Sequence, residues 1–297
     1  MKVVYLGTSG FAVTVLRRLA SSSHRPLLVV TPPDRPRGRG RKLTPSPMAA
    51  AAGELGIELH QTAQVSDQGS VDRVRASGAE IGVVCAFGQL IREPLLSELE
   101  LLNVHPSLIP RWRGAAPIER AIMAGDAETG VSIMRVAAGL DSGPVALQER
   151  TPIEPEFDYG SLSARLAELG GELIVRALDL RASGQLEFTD QDESLATYAE
   201  KIAPAERRLD PARPAVELER IVRALSPHIG AYLELDDGER LGVRSAAADG
   251  GALRLGCGDG VLRLCVVQPA GRRPMKADAY LRGHPLPRLV DEPKRGK

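Results

Sequence analysis

Four short apolar runs, at residues 2–6, 27–30, 81–85 and 101–104, constrain the fold more than any other feature of this chain. Each is continuous rather than alternating, as a strand buried on both faces must be. Helical patterns lie between them. Phe11, Val15, Leu16 and Leu19 share one helix face after the first run, and residues 48–55 and 71–76 are helical in spacing. Strands that alternate with helices require right-handed crossovers and a mainly parallel sheet covered on both sides, the doubly wound α/β arrangement. A helical period resumes after Asp158, a suitable N-cap, through Leu162, Leu166, Leu169, Leu173 and Leu180, and closes this part near Gln185.

The pattern then changes. Residues 189–214 are polar, carry Pro204, Pro211 and Pro214 and the charge run Glu206-Arg207-Arg208, and read as a linker. A helical stretch at 216–225 follows. After it come short runs at 231–235, 241–243, 253–255 and 261–267, separated by Asp236-Asp237-Gly238, Asp249-Gly250-Gly251 and Gly258-Asp259-Gly260. Short strands joined by Asp/Gly turns predict a small barrel or sandwich. The expected division is therefore 1–188, a linker at 189–214, and 215–297, consistent with a length of 297 residues, more than one core usually organises.

Composition narrows the function classes. With 43% hydrophobic and 26% charged residues, neither disorder nor a fibrous repeat fits. Basic and acidic side chains number 38 each, so attraction to a polyanion must be local. Cys85, Cys257 and Cys265 are odd in number and form no CxxC pair, against a disulfide framework or a zinc site, and a reducing cytoplasm is the expected location. No run approaches the roughly 18–20 apolar residues of a membrane span.

Gly7-Thr8-Ser9-Gly10 follows the first strand, but the spacing is not GxGxxG and no acidic residue ends the second strand, so turn chemistry fits better than nicotinamide binding. Asn103 and His105 stand two apart at the end of the fourth run, where strand ends open onto the ligand crevice of a parallel sheet. An amide and an imidazole on one side suit an oxyanion or a proton transfer. Taken alone, the pair reads first as strand-end side chains satisfying nearby backbone. Gly139-Leu140-Asp141-Ser142-Gly143 is, alone, a turn. If Asp141 meets His105, it supplies the orienting partner that a catalytic imidazole needs. Residues 33–42 hold five cations, Arg35, Arg37, Arg39, Arg41 and Lys42, among Gly and Pro that oppose regular structure. Such a loop suits phosphate contacts with a nucleic-acid end, although a solvated surface loop is the commoner reading of a charge run. A second basic cluster, Arg263, Arg272, Arg273, Lys276, Arg282 and Arg288, faces only Asp278 in sequence.

Taken together, these segments resemble the methionyl-tRNA formyltransferases. The most specific stretch is Asn103-Val104-His105-Pro106-Ser107-Leu108-Ile109-Pro110-Arg111-Trp112-Arg113-Gly114-Ala115-Ala116-Pro117-Ile118. Further matches are Asp34-Arg35-Pro36 through Lys42-Leu43, Gly125-Asp126-Ala127-Glu128-Thr129-Gly130-Val131, Gly139-Leu140-Asp141-Ser142-Gly143, Tyr198-Ala199-Glu200-Lys201-Ile202 and Gln268-Pro269-Ala270-Gly271. The resemblance implies a Rossmann-like doubly wound formyltransferase domain followed by a smaller OB-like β-barrel that binds tRNA. It implies 10-formyltetrahydrofolate as co-substrate, methionyl-initiator tRNA as acceptor, no metal, and a monomer. By position it makes Asn103, His105 and Asp141 catalytic. Ser107, Leu108, Ile109 and Pro110 become the folate-contacting segment, and Arg35, Arg37, Arg39, Arg41 and Lys42 the tRNA contacts. Formyl transfer to a small amine, such as glycinamide ribonucleotide or an amino sugar, and hydrolysis of the donor are the alternatives, neither of which calls for the basic loop or the second domain.

Overall fold

The computed structural model describes residues 1–37, 42–247 and 250–288. Along the chain the elements run β1 (Val3–Gly7), α1 (Gly10–Ala20), β2 (Pro26–Thr31), β3 (Arg35–Arg37), β4 (Lys42–Thr44), α2 (Pro47–Leu55), β5 (Glu58–Gln61), α3 (Gln68–Ala76), β6 (Ile81–Cys85), α4 (Leu95–Glu98), β7 (Leu101–His105), β8 (Arg113–Gly114), α5 (Pro117–Ala124), β9 (Glu128–Arg135), β10 (Val145–Pro152), α6 (Tyr159–Ala182), β11 (Tyr198–Ala199), α7 (Ala215–Leu225), β12 (Ala231–Glu234), β13 (Arg240–Ala247), β14 (Leu253–Cys257), β15 (Gly260–Gln268), β16 (Met275–Lys276) and α8 (Ala277–Gly283). They divide into two units. The first is Met1–Gly114 with Glu128–Pro152 and Ser163–Tyr198; the second is Ala115–Ala127 with Ile153–Leu162 and Ala199–Lys297.

The first unit is built on a seven-stranded sheet of order β10-β9-β7-β6-β1-β2-β5. The four apolar runs are its centre: β1, β2, β6 and β7 pair in parallel, with β5 added beyond β2. β9 pairs antiparallel to β7, and β10 to β9, so the polarity of the sheet reverses beside β7. Burial on both faces explains the unbroken apolar runs: every residue of β1 and β6 is buried. Val4, Leu6, Leu28, Val30, Val84 and Leu101 form one core with Val71 and Val74 of α3. On α6, Gly170 is set by close approach, since a Cβ there would come within 2.8 Å of Val104 in β7. Local chemistry starts the helices: Ser9, Ser46 and Asp67 side chains accept N-terminal N–H groups of α1, α2 and α3.

In the second unit α7 buries Leu218, Ile221, Val222 and Leu225 against an antiparallel sheet of order β12-β13-β15-β14, with β16 paired to β15. The strands alternate buried and open positions, as in β12, where Ala231 and Leu233 are buried. Arg120 of α5 ties down the start of the following segment through Glu206 and the Glu200 carbonyl. No described helix is long and apolar enough to cross a membrane.

Two expectations change in detail. Residues 33–42 were expected to lack regular structure, yet β3 and β4 pair as a short ribbon in register Arg35↔Thr44 and Arg37↔Lys42. A proline on a two-stranded edge costs at most one ladder bond, so Pro36 is tolerated. The segment from Thr189, read as linker, is hydrogen-bonded into the first unit: Thr189 bridges Val145 in both directions, and the Thr197 carbonyl accepts the Arg113 N–H at 2.9 Å.

Candidate active site

β7 delivers Asn103 and His105 to the carboxyl end of the parallel strands, beside the polarity reversal. His105 is 4% exposed. Its Nε2 lies 2.9 Å from the Trp112 carbonyl, which can only accept, so Nε2 carries a hydrogen. Nδ1 is then the nitrogen that meets Asp141, 3.6 Å from Oδ2. Asp141 Oδ2 also accepts the Gly114 N–H at 2.8 Å, and Oδ1 accepts the Asn103 amide at 3.3 Å. One carboxylate thus fixes the amide, the backbone behind it and the imidazole together. The side chain of Asp141 remains 17% exposed, so the centre is open to a ligand.

Backbone strain marks both ends of this arrangement. Asp141 has φ +45° and Trp112 φ +64°, the left-handed region that non-glycine residues seldom occupy. Each costs on the order of 1 kcal/mol or more and persists only where neighbours over-determine it. For Trp112 the ties are its N–H to Thr197 Oγ1 at 2.9 Å and its carbonyl to His105. For Asp141 they include Gln191, whose Nε2 donates to the carbonyls of Asp141 and Gly143 at 2.9 and 2.6 Å.

Residues 107–110, the segment expected to contact folate, are pinned by hydrogen bonds. Ser107 is fully buried and donates to the Arg111 carbonyl at 2.7 Å, and Ile109 is 3% exposed. Contacts from these two to a donor must therefore run through backbone, while Leu108 and Pro110 keep half-open side chains. Buried Ser132 donates to the Ser107 carbonyl (2.6 Å) and accepts the Ile109 N–H (3.2 Å), and Gln148 donates to the Ile109 carbonyl (2.8 Å). The basic ribbon is fixed at its base by Asp34, which accepts the Ser46 N–H and the Gln61 amide at 2.8 and 2.9 Å. Arg35, Arg37 and Lys42 stand on its strands; Arg39 and Arg41 lie outside the described residues. Gly7-Thr8-Ser9-Gly10 is a helix cap, with Ser9 accepting from Ala12.

Sequence reasoning gave no role to Ser132, Gln148, Gln191 and Thr197, and quoted Arg113 only as part of the motif. The signal for the others was a polar residue in an odd place, such as Ser132 inside an apolar run and Gln191 inside the polar segment read as linker. Arg113 is 1% exposed and binds Gln191 and Glu193; these bonds hold the Glu193 carboxyl below its ordinary range. Burial pushes the Cys85 thiol, under the first strand's Tyr5, up to about 12, so it is no nucleophile. Among the described residues, no three His, Cys, Asp or Glu side chains gather as a metal site.

Comparison with known proteins gives a consistent picture. The family model Formyl transferase matches residues 1–178, and Formyl transferase, C-terminal domain, matches 201–285. A methionyl-tRNA formyltransferase of Methylobacterium nodulans is 44% identical, over 96% of this chain and 97% of its own. That of Dinoroseobacter shibae is 45% identical, over 98% and 100%. Among solved structures, HypX from Aquifex aeolicus in complex with tetrahydrofolic acid superposes with TM-score 0.67 at 16% identity, over 95% of this chain and 47% of that one. A sugar 3N-formyl transferase, WlaRD, gives 0.65 at 14%, over 92% and 99%. At these identities the two structures speak for the fold alone.

Proposed function

This chain belongs to the formyl transferase family, and on that premise we propose that Asn103, His105 and Asp141 carry formyl transfer from 10-formyltetrahydrofolate to the free amino group of methionyl-initiator tRNA. The observation that carries the reading is the convergence of three polar side chains on one open point at the end of β7. The acceptor is favoured by relatives named for methionyl-tRNA that match nearly the whole chain, and by the paired strands Arg35–Arg37 and Lys42–Thr44 within a cation-rich stretch of sequence.

The acceptor's amine lone pair attacks the formyl carbon on N10, forming the new C–N bond and a tetrahedral carbon whose oxygen bears negative charge. Asn103 has two amide hydrogens, and only one is spent on Asp141. The second meets that oxygen together with the Nδ1–H of His105 in its protonated form, in which Nε2–H stays on the Trp112 carbonyl. Each such donor is worth on the order of 3 kcal/mol in comparable oxyanion sites. The amine, now cationic, must lose a proton, and Asp141 is the carboxylate beside it, acting directly or through water. When the C–N10 bond breaks, N10 takes a proton and leaves as tetrahydrofolate. The amine is already a competent nucleophile, so the step is carried by acid–base and electrostatic groups that this chain supplies.

The test is transfer of radiolabelled formyl from 10-formyltetrahydrofolate to methionyl-initiator tRNA, with methionyl-elongator tRNA, glycinamide ribonucleotide and an amino-sugar nucleotide as parallel acceptors. Selective labelling of the initiator is expected. Label on a small amine alone, or free formate, overturns the choice of acceptor and leaves the catalytic trio in place.

A further inference from the structure

We propose that Gln191 is a positioning residue for Asp141, held in its working orientation by the buried guanidinium of Arg113. The inference rests on the reading of Asp141 as catalytic and goes beyond it. Gln191 sits in residues 179–200, between the two matched family regions, so neither match assigns it a role.

Its amide has one allowed orientation. Arg113 can only donate, and it gives Nε–H and Nη2–H to Gln191 Oε1 at 3.0 and 2.8 Å. The carbonyls of Asp141 and Gly143 can only accept, and both take Nε2. Arg113 is in turn fixed by paired bonds of 2.8 and 2.7 Å to Glu193. The consequence lies in the backbone of Asp141. At φ +45° the loop is held away from its relaxed conformations, and a return to negative φ rotates the carboxylate off Asn103, Gly114 and His105. Gln191 grips the carbonyl of that same strained residue. Six positions on, Thr197 grips the backbone of Trp112, whose carbonyl holds the other face of His105. One short segment thus sets both partners of the imidazole.

Gln191→Glu separates positioning from mere bracing. The carboxylate keeps an acceptor for Arg113 but turns an oxygen onto two carbonyl oxygens, so the brace survives while the hold on Asp141 becomes repulsion. The expected result is a kcat lower by about 10- to 100-fold, the scale of an approximately 1 Å misplacement. KM for both substrates should stay within about threefold, and Tm within a few degrees. In an Asp141→Asn background, Gln191→Glu should cost less than about threefold further, because its effect runs through Asp141. Wild-type kcat in Gln191→Glu, a rise confined to KM, or losses that multiply in the double variant overturn the proposal and leave Asp141 as read. Near-normal kcat in Asp141→Asn overturns the catalytic reading itself, a separate outcome. Gln191→Met, which removes both sets of bonds without adding charge, is measured in parallel. If neither variant folds, Gln191 is a folding brace and the proposal fails.

Discussion

Asp141→Asn probes the centre at the level of single atoms. Both carboxylate oxygens are engaged: Oδ2 by the Gly114 N–H at 2.8 Å and by His105 Nδ1 at 3.6 Å, Oδ1 by the Asn103 amide at 3.3 Å. An asparagine of the same volume offers one acceptor oxygen. Kept toward Gly114 and His105, it sets its NH2 against the NH2 of Asn103; turned round, it sets NH2 against Gly114 N–H. Asparagine accepts left-handed φ as readily as aspartate, so the strain at φ +45° is unchanged. The stability loss is one hydrogen bond and the charge assistance of another, about 1–3 kcal/mol, a fall of a few degrees in Tm. The chemical loss is far larger. Neutralising the carboxylate that orients a catalytic histidine costs about 10⁴ in the serine-protease template. With 3.6 Å rather than direct contact here, a fall of roughly 10³ to 10⁴ in kcat is expected, about 4–5.5 kcal/mol of barrier. Single-turnover transfer of labelled formyl at saturating donor and acceptor measures it, with calorimetric Tm alongside. A Tm drop above about 10 °C accompanied by kcat within tenfold refutes the reasoning, making Asp141 a structural tie.

Other expectations follow from the same contacts. Ser132→Ala leaves the buried Ile109 N–H without its acceptor, so Tm falls by the equivalent of about 1–3 kcal/mol and KM for the folate donor rises; an unchanged KM shows that the segment's backbone does not touch the donor. Gly130→Ala brings a Cβ to 2.1 Å from the Glu149 carbonyl across β9 and β10 and to 2.6 Å from Leu108; a loss of at least about 1–3 kcal/mol should appear in chemical denaturation. Arg113 holds Glu193 below its ordinary value near 4.5, a stabilisation present above that value and lost as pH falls through the depressed one; Glu193→Gln should therefore flatten the fall of Tm as pH drops below about 4.5. Arg39→Ala should raise KM for the tRNA and reduce its log–log salt slope by roughly 0.7–0.9, the share of one phosphate contact; an unchanged slope argues against a phosphate role.

The parallel centre of the sheet was legible because strands buried on both faces must be written as unbroken apolar runs. β5 and β10 were not. Glu58-Leu59-His60-Gln61 and the half-open Val145–Pro152 are edge-ward strands whose outer faces meet water, so they carry no such run. In the second unit the Asp/Gly turns gave the strands away, though with shorter bounds than β13 and β15 have. Asn103, His105 and Asp141 could be suspected from strand-end placement and glycine-flanked turn, but their convergence spans 38 residues of chain and needed the fold. Gln191 was the least legible. Nothing in a polar, proline-containing stretch says which glutamine finds a buried arginine, and composition alone made the segment look like a tether. The same limit applies to Ser107 and Ile109: their place in the motif named the segment, while only the fold shows that their side chains are buried.

The reversal of sheet polarity at β7 divides the centre by its timescales. Asn103 is in register with Val84 of β6 and Met134 of β9, and His105 with Ser132 of β9, so exposing their backbone disrupts pairing in the sheet. Asp141, Trp112 and Gly114 sit on turns or a two-residue strand and are held by a handful of side-chain bonds, so their amides exchange through local openings of much lower free energy. The two side chains proposed as donors thus rise from a strand of the main sheet, while the carboxylate proposed to align them stands on a loop held by side-chain bonds.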